Sequence, residues 1–174
     1  MATQLPGEDI LASDIIVPKY VQKSGATVHT STTAVVADPD ITFPLAIGTY
    51  RVELFMYASS TNAAFTSDVR TDWDFTGTAA IQRSCIGPGP ASVNTTGDST
   101  TAGSGMSRAT AHALGTDVIY GITDNASSVV HEDILVIVTV AGTMTLRTAQ
   151  GTSSATSTTI SAGTHCYITE IEAT

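Results

Sequence analysis

Few residues in this chain have the types and spacing that enzymatic chemistry needs. Cys166 follows His165 directly, which suggests a thiol nucleophile beside its base. Neighbouring side chains on a strand point to opposite faces of a sheet, so this adjacency argues against such a pair. The other histidines, His29, His112 and His131, are isolated, and no zinc, phosphate-loop or hydrolase motif occurs. The sequence therefore predicts a protein that is not an enzyme and holds no cofactor or metal.

Two aspartate clusters are the remaining candidates for a metal site. Asp72 and Asp74 share a predicted strand face with Arg70, and we expect a solvated face with one ion pair rather than a carboxylate site. The run from Asp38 to Asp40 has the alternating carboxylates that calcium loops use. We expect it instead to be a turn that ends one strand and starts another at Ile41.

A third cluster, His131-Glu132-Asp133, lies at the start of the most apolar predicted strand. It could form a pH-sensitive pair at an interface, because histidine titrates near neutral pH. More often such a cluster is simply the polar end of a strand, and both readings stay open at this point.

The elements that must position these residues are strands. From Gly48 to Ala58 apolar residues alternate with Arg51, Glu53, Phe55 and Tyr57, which predicts a strand that ends buried on both sides. The tight turn Ala141-Gly142 suggests a hairpin. No helix is convincing; the only weak candidate is one turn within residues 7–16. Further strands are predicted at residues 68–75, 79–85, 117–123, 129–140, 142–150 and 164–172.

Short strands separated by turns predict an all-β fold, namely an antiparallel β-sandwich of jelly-roll type with an extended N-terminal arm. We assign residues 1–24 to the arm and residues 25–174 to the sandwich. The arm cannot bury its apolar residues alone, so we expect it either to fold back or to dock on a partner. The segment from Gly87 to Gly105 is a low-complexity loop. Cys85 and Cys166 are expected to be buried free thiols.

Composition excludes several classes of protein. The 174 residues carry 16 acidic against 7 basic side chains, a net charge of −9, which disfavours nucleic-acid binding. The chain has 30 Thr and 17 Ser, suited to strand surfaces that stay soluble without charge. No apolar run approaches the ~20 residues of a transmembrane helix and no signal peptide is visible, so we expect no membrane partner and synthesis in the cytoplasm.

The run from Ser31 to Asp40, followed by Phe43 and the strand from Gly48 to Ala58, resembles small virion structural proteins of tailed bacteriophages. The end of the chain is similar as well, from Val140 to Gln150 and from Ile160 to Thr164. The resemblance covers roughly residues 28–174 and is weakest between 76 and 115. It departs from longer tail-linked members at the start, where no large anchor domain precedes the sandwich.

The resemblance implies a virion protein made in the host cytoplasm. Its expected role is head decoration, in which it binds and stabilises the outer capsid surface. The implied partners are the major capsid protein, or tail proteins, and further copies in a homotrimer. We expect the arm to make the contact through its apolar residues, Ile10, Leu11, Ile15, Ile16 and Tyr20.

The alternative is a tail-associated or receptor-binding protein that recognises a glycan on the host surface. Tyr57, Trp73, Tyr120 and the loop from Gly87 to Gly105 are then the contact candidates, because aromatic rings stack on sugars and loops carry recognition. Trp73 lies on the apolar face of its strand and is expected to be core.

Overall fold

The computed structural model describes residues 17–61, 68–88, 105–107, 112–122 and 127–173. Within these ranges the chain forms strands and no helix. The strands are β1 (Lys19–Gln22), β2 (Thr27–His29), β3 (Val36–Leu45), β4 (Gly48–Ser60), β5 (Asp68–Phe75), β6 (Thr78–Pro88), β7 (Gly105–Ser107), β8 (Val118–Gly121), β9 (Ser128–Val140), β10 (Gly142–Gln150), β11 (Thr158–Ile160) and β12 (His165–Ala173).

Two antiparallel sheets pack face to face. The large sheet has the order β1-β12-β4-β9-β6-β7, and β11 continues the line of β12 by pairing with the end of β4 and with β2. The small sheet has the order β3-β10-β5-β8. The predicted antiparallel β-sandwich is confirmed, and its jelly-roll subtype stays a prediction.

From β3 to β6 and again from β7 to β11, each strand lies in the opposite sheet from the strand before it. The small sheet takes β3, β5, β8 and β10, and the large sheet takes β4, β6, β9 and β12. The prediction of a hairpin at Ala141-Gly142 is therefore wrong, because β9 pairs with β4 and β6 whereas β10 pairs with β3 and β5. The turn is a corner between the sheets. It is tight because Gly142 packs against Gly77, where a Cβ would collide with backbone atoms.

Alternation within the strands fills the space between the sheets. The core includes Val52, Leu54 and Met56 of β4, which are completely buried, and Trp73 of β5, which is 1% exposed. Each fully buried side chain of this size stabilises the fold by about 1.5–3 kcal/mol. The seven predicted strands are confirmed, with ends that differ by a few residues. The short strands β1, β2, β7 and β11 were not predicted.

The Asp38-to-Asp40 turn lies inside β3 rather than between two strands, so that expectation is wrong. The register passes from Thr42 opposite Thr145 to Ala37 opposite Arg147, so four residues of β3 face one residue of β10. The Asp38 carboxylate accepts hydrogen bonds from the backbone N–H groups of Asp40 and Ile41, at 3.0 and 3.2 Å, and these bonds stabilise the bulge.

The outer face of β5 is also less solvated than expected. Asp72 is buried beneath Arg147 of the adjacent strand β10, whose Nε and Nη2 donate to its two carboxylate oxygens at 2.6 and 2.7 Å. Arg70 pairs instead with Asp117 at 3.0 Å. The face therefore carries two ion pairs, and Asp72 is already partnered by Arg147.

Candidate functional site

A carboxylate in the centre of the sandwich joins the two sheets. Glu132 of β9 is fully buried, and Arg83 of β6 donates to it from Nε at 2.8 Å and from Nη2 at 2.7 Å. From the opposite sheet, the Thr71 hydroxyl and the Trp73 indole N–H donate at 2.7 and 2.8 Å, and the Tyr120 hydroxyl donates at 2.8 Å. Glu132 is therefore held by five hydrogen bonds that come from both sheets.

The guanidinium of Arg83 is equally well partnered. Its Nη1 donates to the Thr116 carbonyl at 2.8 Å, and its Nη2 also donates to the Thr71 hydroxyl at 2.7 Å. Burial opposes the charge of this guanidinium, but Glu132 raises its pKa above the ordinary value. Burial also opposes the charge of Glu132, which by itself would raise the pKa of this carboxyl. The Arg83 charge and the hydrogen bonds from Arg83, Trp73 and Thr71 outweigh burial and hold that pKa below its ordinary value.

The network is a structural link rather than a reaction centre. Every donor and acceptor that faces Glu132 is used, and Arg83, Trp73, Tyr120 and Glu132 are all 0–1% exposed. In the part of the chain that the structure describes, these groups present no surface that a substrate could reach. The interpretation of His131-Glu132-Asp133 as a simple polar strand end is wrong, because Glu132 lies in the core in the middle of the pairing with β4. The interpretation as a pair at an interface stays a prediction.

A second buried ion pair fixes the start of the described chain. β1 pairs with β12, and Lys23 directly after it places its Nζ 2.7 Å from Asp38 in the bulge of β3. Both side chains are almost completely buried. Ser24 donates from its backbone N–H to Asp40 at 3.0 Å. These contacts tie residues 19–24 to both sheets of the sandwich.

His29 follows soon after Lys23 in the sequence and interacts electrostatically with both Lys23 and Asp38. Its Nε2 is 2.8 Å from the Thr148 hydroxyl of β10, and the side chain is buried. Burial lowers the pKa of His29; Asp38 opposes this effect and Lys23 adds to it. Hydrogen bonding between β2 and β10 thus adds a third polar link between the sheets.

The outward face of the large sheet carries a cluster of six rings, which we call the ring cluster. Phe55 stacks between His131 and His165, with ring centroids 4.6 and 5.3 Å away. Tyr20 and Tyr167 contact each other at 5.3 Å and both contact His165. The members are Tyr20, Phe55, Tyr57, His131, His165 and Tyr167.

The expectation that β4 ends buried on both sides is wrong, because no second layer covers the outer face of Phe55 and Tyr57 within the described residues. Their rings are only partly exposed, since they pack on one another and on the rings of β9 and β12. The cluster thus combines aromatic surface with fixed ring positions.

Charged side chains lie directly beside the ring cluster. Arg51 donates to both carboxylate oxygens of Asp133 at 2.9 Å, and its Nη2 is 3.1 Å from Glu53. The register places Tyr20, Tyr167, Glu53 and Asp133 in one row across neighbouring strands. All of these groups are partly exposed, so the described residues present rings and polar groups together on this outer face.

The residues predicted to contact a partner are only partly within the described chain. Ile10, Leu11, Ile15 and Ile16 lie outside the described residues. Tyr20 lies on β1 and is 48% exposed.

The glycan candidates divide in the same way. Trp73 is core, as expected. The prediction that Tyr120 could contact a sugar is wrong, because its ring is fully buried and its hydroxyl bonds Glu132. Tyr57 is partly exposed in the ring cluster, and most of the loop from Gly87 to Gly105 lies outside the described residues.

Neither cysteine forms a disulfide and both are buried, which confirms the prediction of buried thiols. Burial raises the pKa of Cys166, and the charge of Glu132 raises it further. Among the described residues, no three histidine, cysteine, aspartate or glutamate side chains come together as metal ligands would. In the same part of the chain, no helix has the length and apolar character needed to cross a membrane.

Sequence reasoning missed the roles of Arg83, Thr71 and Lys23. A signal for Arg83 exists, because it is the one cation in β6 and interrupts a run whose neighbours are uncharged. Its partner is 49 residues away in sequence. A single sequence does not reveal that pairing.

Comparison with family models gives no match, and comparison with curated proteins gives none either. Among solved structures, the chain is similar to the structure of infectious bursal disease virus Gx strain, with 10% identity and a TM-score of 0.22. It is similar to the Gt strain structure with 11% identity and a TM-score of 0.19. Each alignment covers 99% of this chain and 47% of the other, so the chain spans about half the length of those proteins. At these values the likeness assigns no function.

Proposed function

We propose that this chain is a non-enzymatic structural protein of a tailed-phage virion, and that it acts as a head decoration protein on the outer capsid surface. Its partners are the major capsid protein and further copies of itself in a homotrimer. The resemblance of residues 28–174 to small phage virion proteins supports this role. The observation that carries the proposal is that the end of the N-terminal arm, residues 19–24, is fixed to the sandwich.

Because residues 19–24 are fixed, a partner bound to the arm is connected firmly to the sandwich. From Lys19 onward the arm is a sheet strand, and the Lys23–Asp38 pair anchors it in the interior. Val17 and Tyr20 nevertheless expose 78% and 48% of their surface at the same place. A partner that binds the arm through apolar contacts therefore holds the whole sandwich, and many such contacts per particle stabilise the capsid by multivalency.

The proposal is tested by deleting residues 2–16, which leaves β1 and Lys23 in place. The variant is mixed with heads that lack the protein and is sedimented with them. We expect native far-UV circular dichroism and unchanged urea unfolding, together with loss of co-sedimentation. Deletion through residue 20 is less suitable, because it removes half of β1.

A matched pair of point variants keeps the length of the chain constant. Ile16→Asp is expected to weaken head binding, whereas Ile47→Asp, at a position 53% exposed between β3 and β4, is expected to leave it unchanged. Full head binding by the deletion variant contradicts the docking role of the arm. Recovery of the protein from tails at a few copies per particle contradicts decoration itself.

A second candidate, a tail-associated or receptor-binding protein for a host glycan, is favoured by one observation. The ring cluster lies partly exposed on the outer face, beside hydrogen-bonding groups. The number of copies per particle separates the two candidates, because decoration requires many copies and a tail tip carries few.

A further inference from the structure

We propose that the ring cluster, with Arg51, Glu53 and Asp133 beside it, is a binding surface for a neutral or amino-sugar oligosaccharide. The inference goes beyond virion decoration and does not depend on whether the protein lies on a head or a tail. It rests on different residues from the glycan contacts that the sequence suggested, since Trp73 and Tyr120 are in the core.

The rings supply a surface for the apolar faces of sugars. A pyranose presents axial C–H groups on one face. Their partially positive hydrogens pack favourably against the negative face of an aromatic ring. Tyr20 and Tyr167 are the most exposed rings, at 48% and 39%, and they lie on adjacent strands. From β1 to β9 the cluster crosses four strands, about 14 Å, so it accommodates an oligosaccharide better than one sugar.

The polar groups supply orientation. Sugars bind where a few fixed donors and acceptors stand beside apolar surface. Glu53 and Asp133 continue the row of Tyr20 and Tyr167 across the sheet. Arg51 holds Asp133 by two hydrogen bonds and Glu53 by an ion pair, so the carboxylates are oriented before a ligand arrives. Their remaining lone pairs can accept hydrogen bonds from sugar hydroxyl or ammonium groups.

Charge selects among possible partners. One guanidinium faces two carboxylates at this place, on a protein of net charge −9, which disfavours acidic polysaccharides and nucleic acid. The centre of a protein–protein interface is depleted of charged residues, whereas here three charged side chains adjoin the rings. The combination fits a neutral or weakly cationic saccharide better than a second protein surface.

The test uses the full chain, with maltohexaose, cellohexaose and chitohexaose as probes and hyaluronan as the acidic comparison, in calorimetric titrations. We expect at least one neutral or amino-sugar probe to bind with a dissociation constant on the order of 1 mM, and hyaluronan to bind more weakly. Tyr167→Ala should weaken binding by about fivefold or more. Ile137→Ala, which also removes an exposed apolar side chain from the outer face of β9, should have no effect.

Sedimentation of the same variants examines a second copy as the occupant. Self-association that depends on concentration and disappears in Tyr167→Ala overturns the proposal in favour of a dimer or trimer interface. Failure of all three uncharged or amino-sugar probes at about ten times the expected dissociation constant overturns it as well. So does equal binding by Tyr167→Ala. We expect the deletion of residues 2–16 to leave these titrations unchanged, so failure of the decoration role is distinguishable from failure of saccharide binding.

Discussion

Replacing Glu132 by glutamine isolates the charge of the buried network with little change in shape. Its two carboxylate oxygens accept from five donors, so an amide in either orientation must point an NH₂ group at some of them. At the Oε2 position the amide would face Trp73 Nε1 and Arg83 Nε, neither of which can accept. At the Oε1 position the two hydroxyls can rotate to accept, but Arg83 Nη2 cannot. The glutamine amide is therefore expected to place its NH₂ group at the Oε1 position, where the hydrogen bond from Arg83 Nη2 is lost.

The larger effect is on Arg83, which keeps its charge in the interior without a counter-charge. Removing one partner of a buried pair costs about 3–5 kcal/mol. A domain of ordinary stability has about 5–15 kcal/mol in total, so the loss is a large fraction. With an m-value of about 2 kcal/mol per molar urea, the unfolding midpoint should fall by about 2 M.

The assay is equilibrium urea unfolding, followed by fluorescence of Trp73, which is the one tryptophan in the chain and touches Glu132 directly. The matched control is Glu53→Gln, which removes a carboxylate from a partly exposed ion pair and should cost less than about 1 kcal/mol. A loss for Glu132→Gln as small as that of the control refutes the argument that the network joins the sheets.

A double-mutant cycle supplies a second criterion. Arg83→Met alone leaves the Glu132 charge buried, and the double variant removes both charges. We expect the double variant to lose less stability than the sum of the single losses, by about 1–3 kcal/mol. Strict additivity contradicts the coupling that the two Arg83–Glu132 hydrogen bonds, at 2.7 and 2.8 Å, imply.

Two further predictions concern protons and thiols. The folded-state pKa values of His29 and Glu132 lie below their ordinary values of 6.5 and 4.5, so the unfolded chain binds more protons just below each value. The contribution of these two groups to stability should therefore be complete above pH 6.5, fall in a first step below it that His29→Asn removes, and fall again below pH 4.5. Glu132→Gln should reduce the second step without abolishing it, because hydrogen bonds from Ser24 also lower the pKa of Asp40; unchanged profiles in both variants, measured by urea unfolding across pH, would count against this assignment. Cys85 and Cys166 should resist iodoacetamide in the native protein and react in urea, since both are buried; rapid native labelling, detected by mass spectrometry, is the contrary result.

The strands could be predicted from the sequence because period-two alternation is local. Val69, Thr71 and Trp73 alternate with charged residues, and the structure places the apolar set inward. The corner at Gly142 could not be predicted in this way, because a tight turn between two alternating runs is compatible with a hairpin or with a change of sheet. The choice depends on Gly77 packing against it, a contact between residues 65 positions apart.

The buried network escaped prediction for a similar reason. Alternation assigns Glu132 to the inner face of β9, but a glutamate in a sandwich core is too costly to expect without a partner. The partner, Arg83, lies on a different strand, and the Thr71, Trp73 and Tyr120 donors come from the other sheet. Burial of Glu132 is thus a consequence of the whole set of contacts and of no local pattern.

The sandwich has one polar feature in its interior, the Glu132–Arg83 network, and one on its surface, the ring cluster with its charged neighbours. Glu132 and Arg83 make their hydrogen bonds within the core, where these bonds hold the two sheets together and are not available to a ligand. On the opposite side of the same strand, His131 and Asp133 point outward, to the ring cluster and to Arg51. Because side chains alternate along β9, one three-residue run contributes both to the core and to the outer face. A substitution at Glu132 should therefore reduce stability, whereas one at Tyr167 should affect binding with the fold intact.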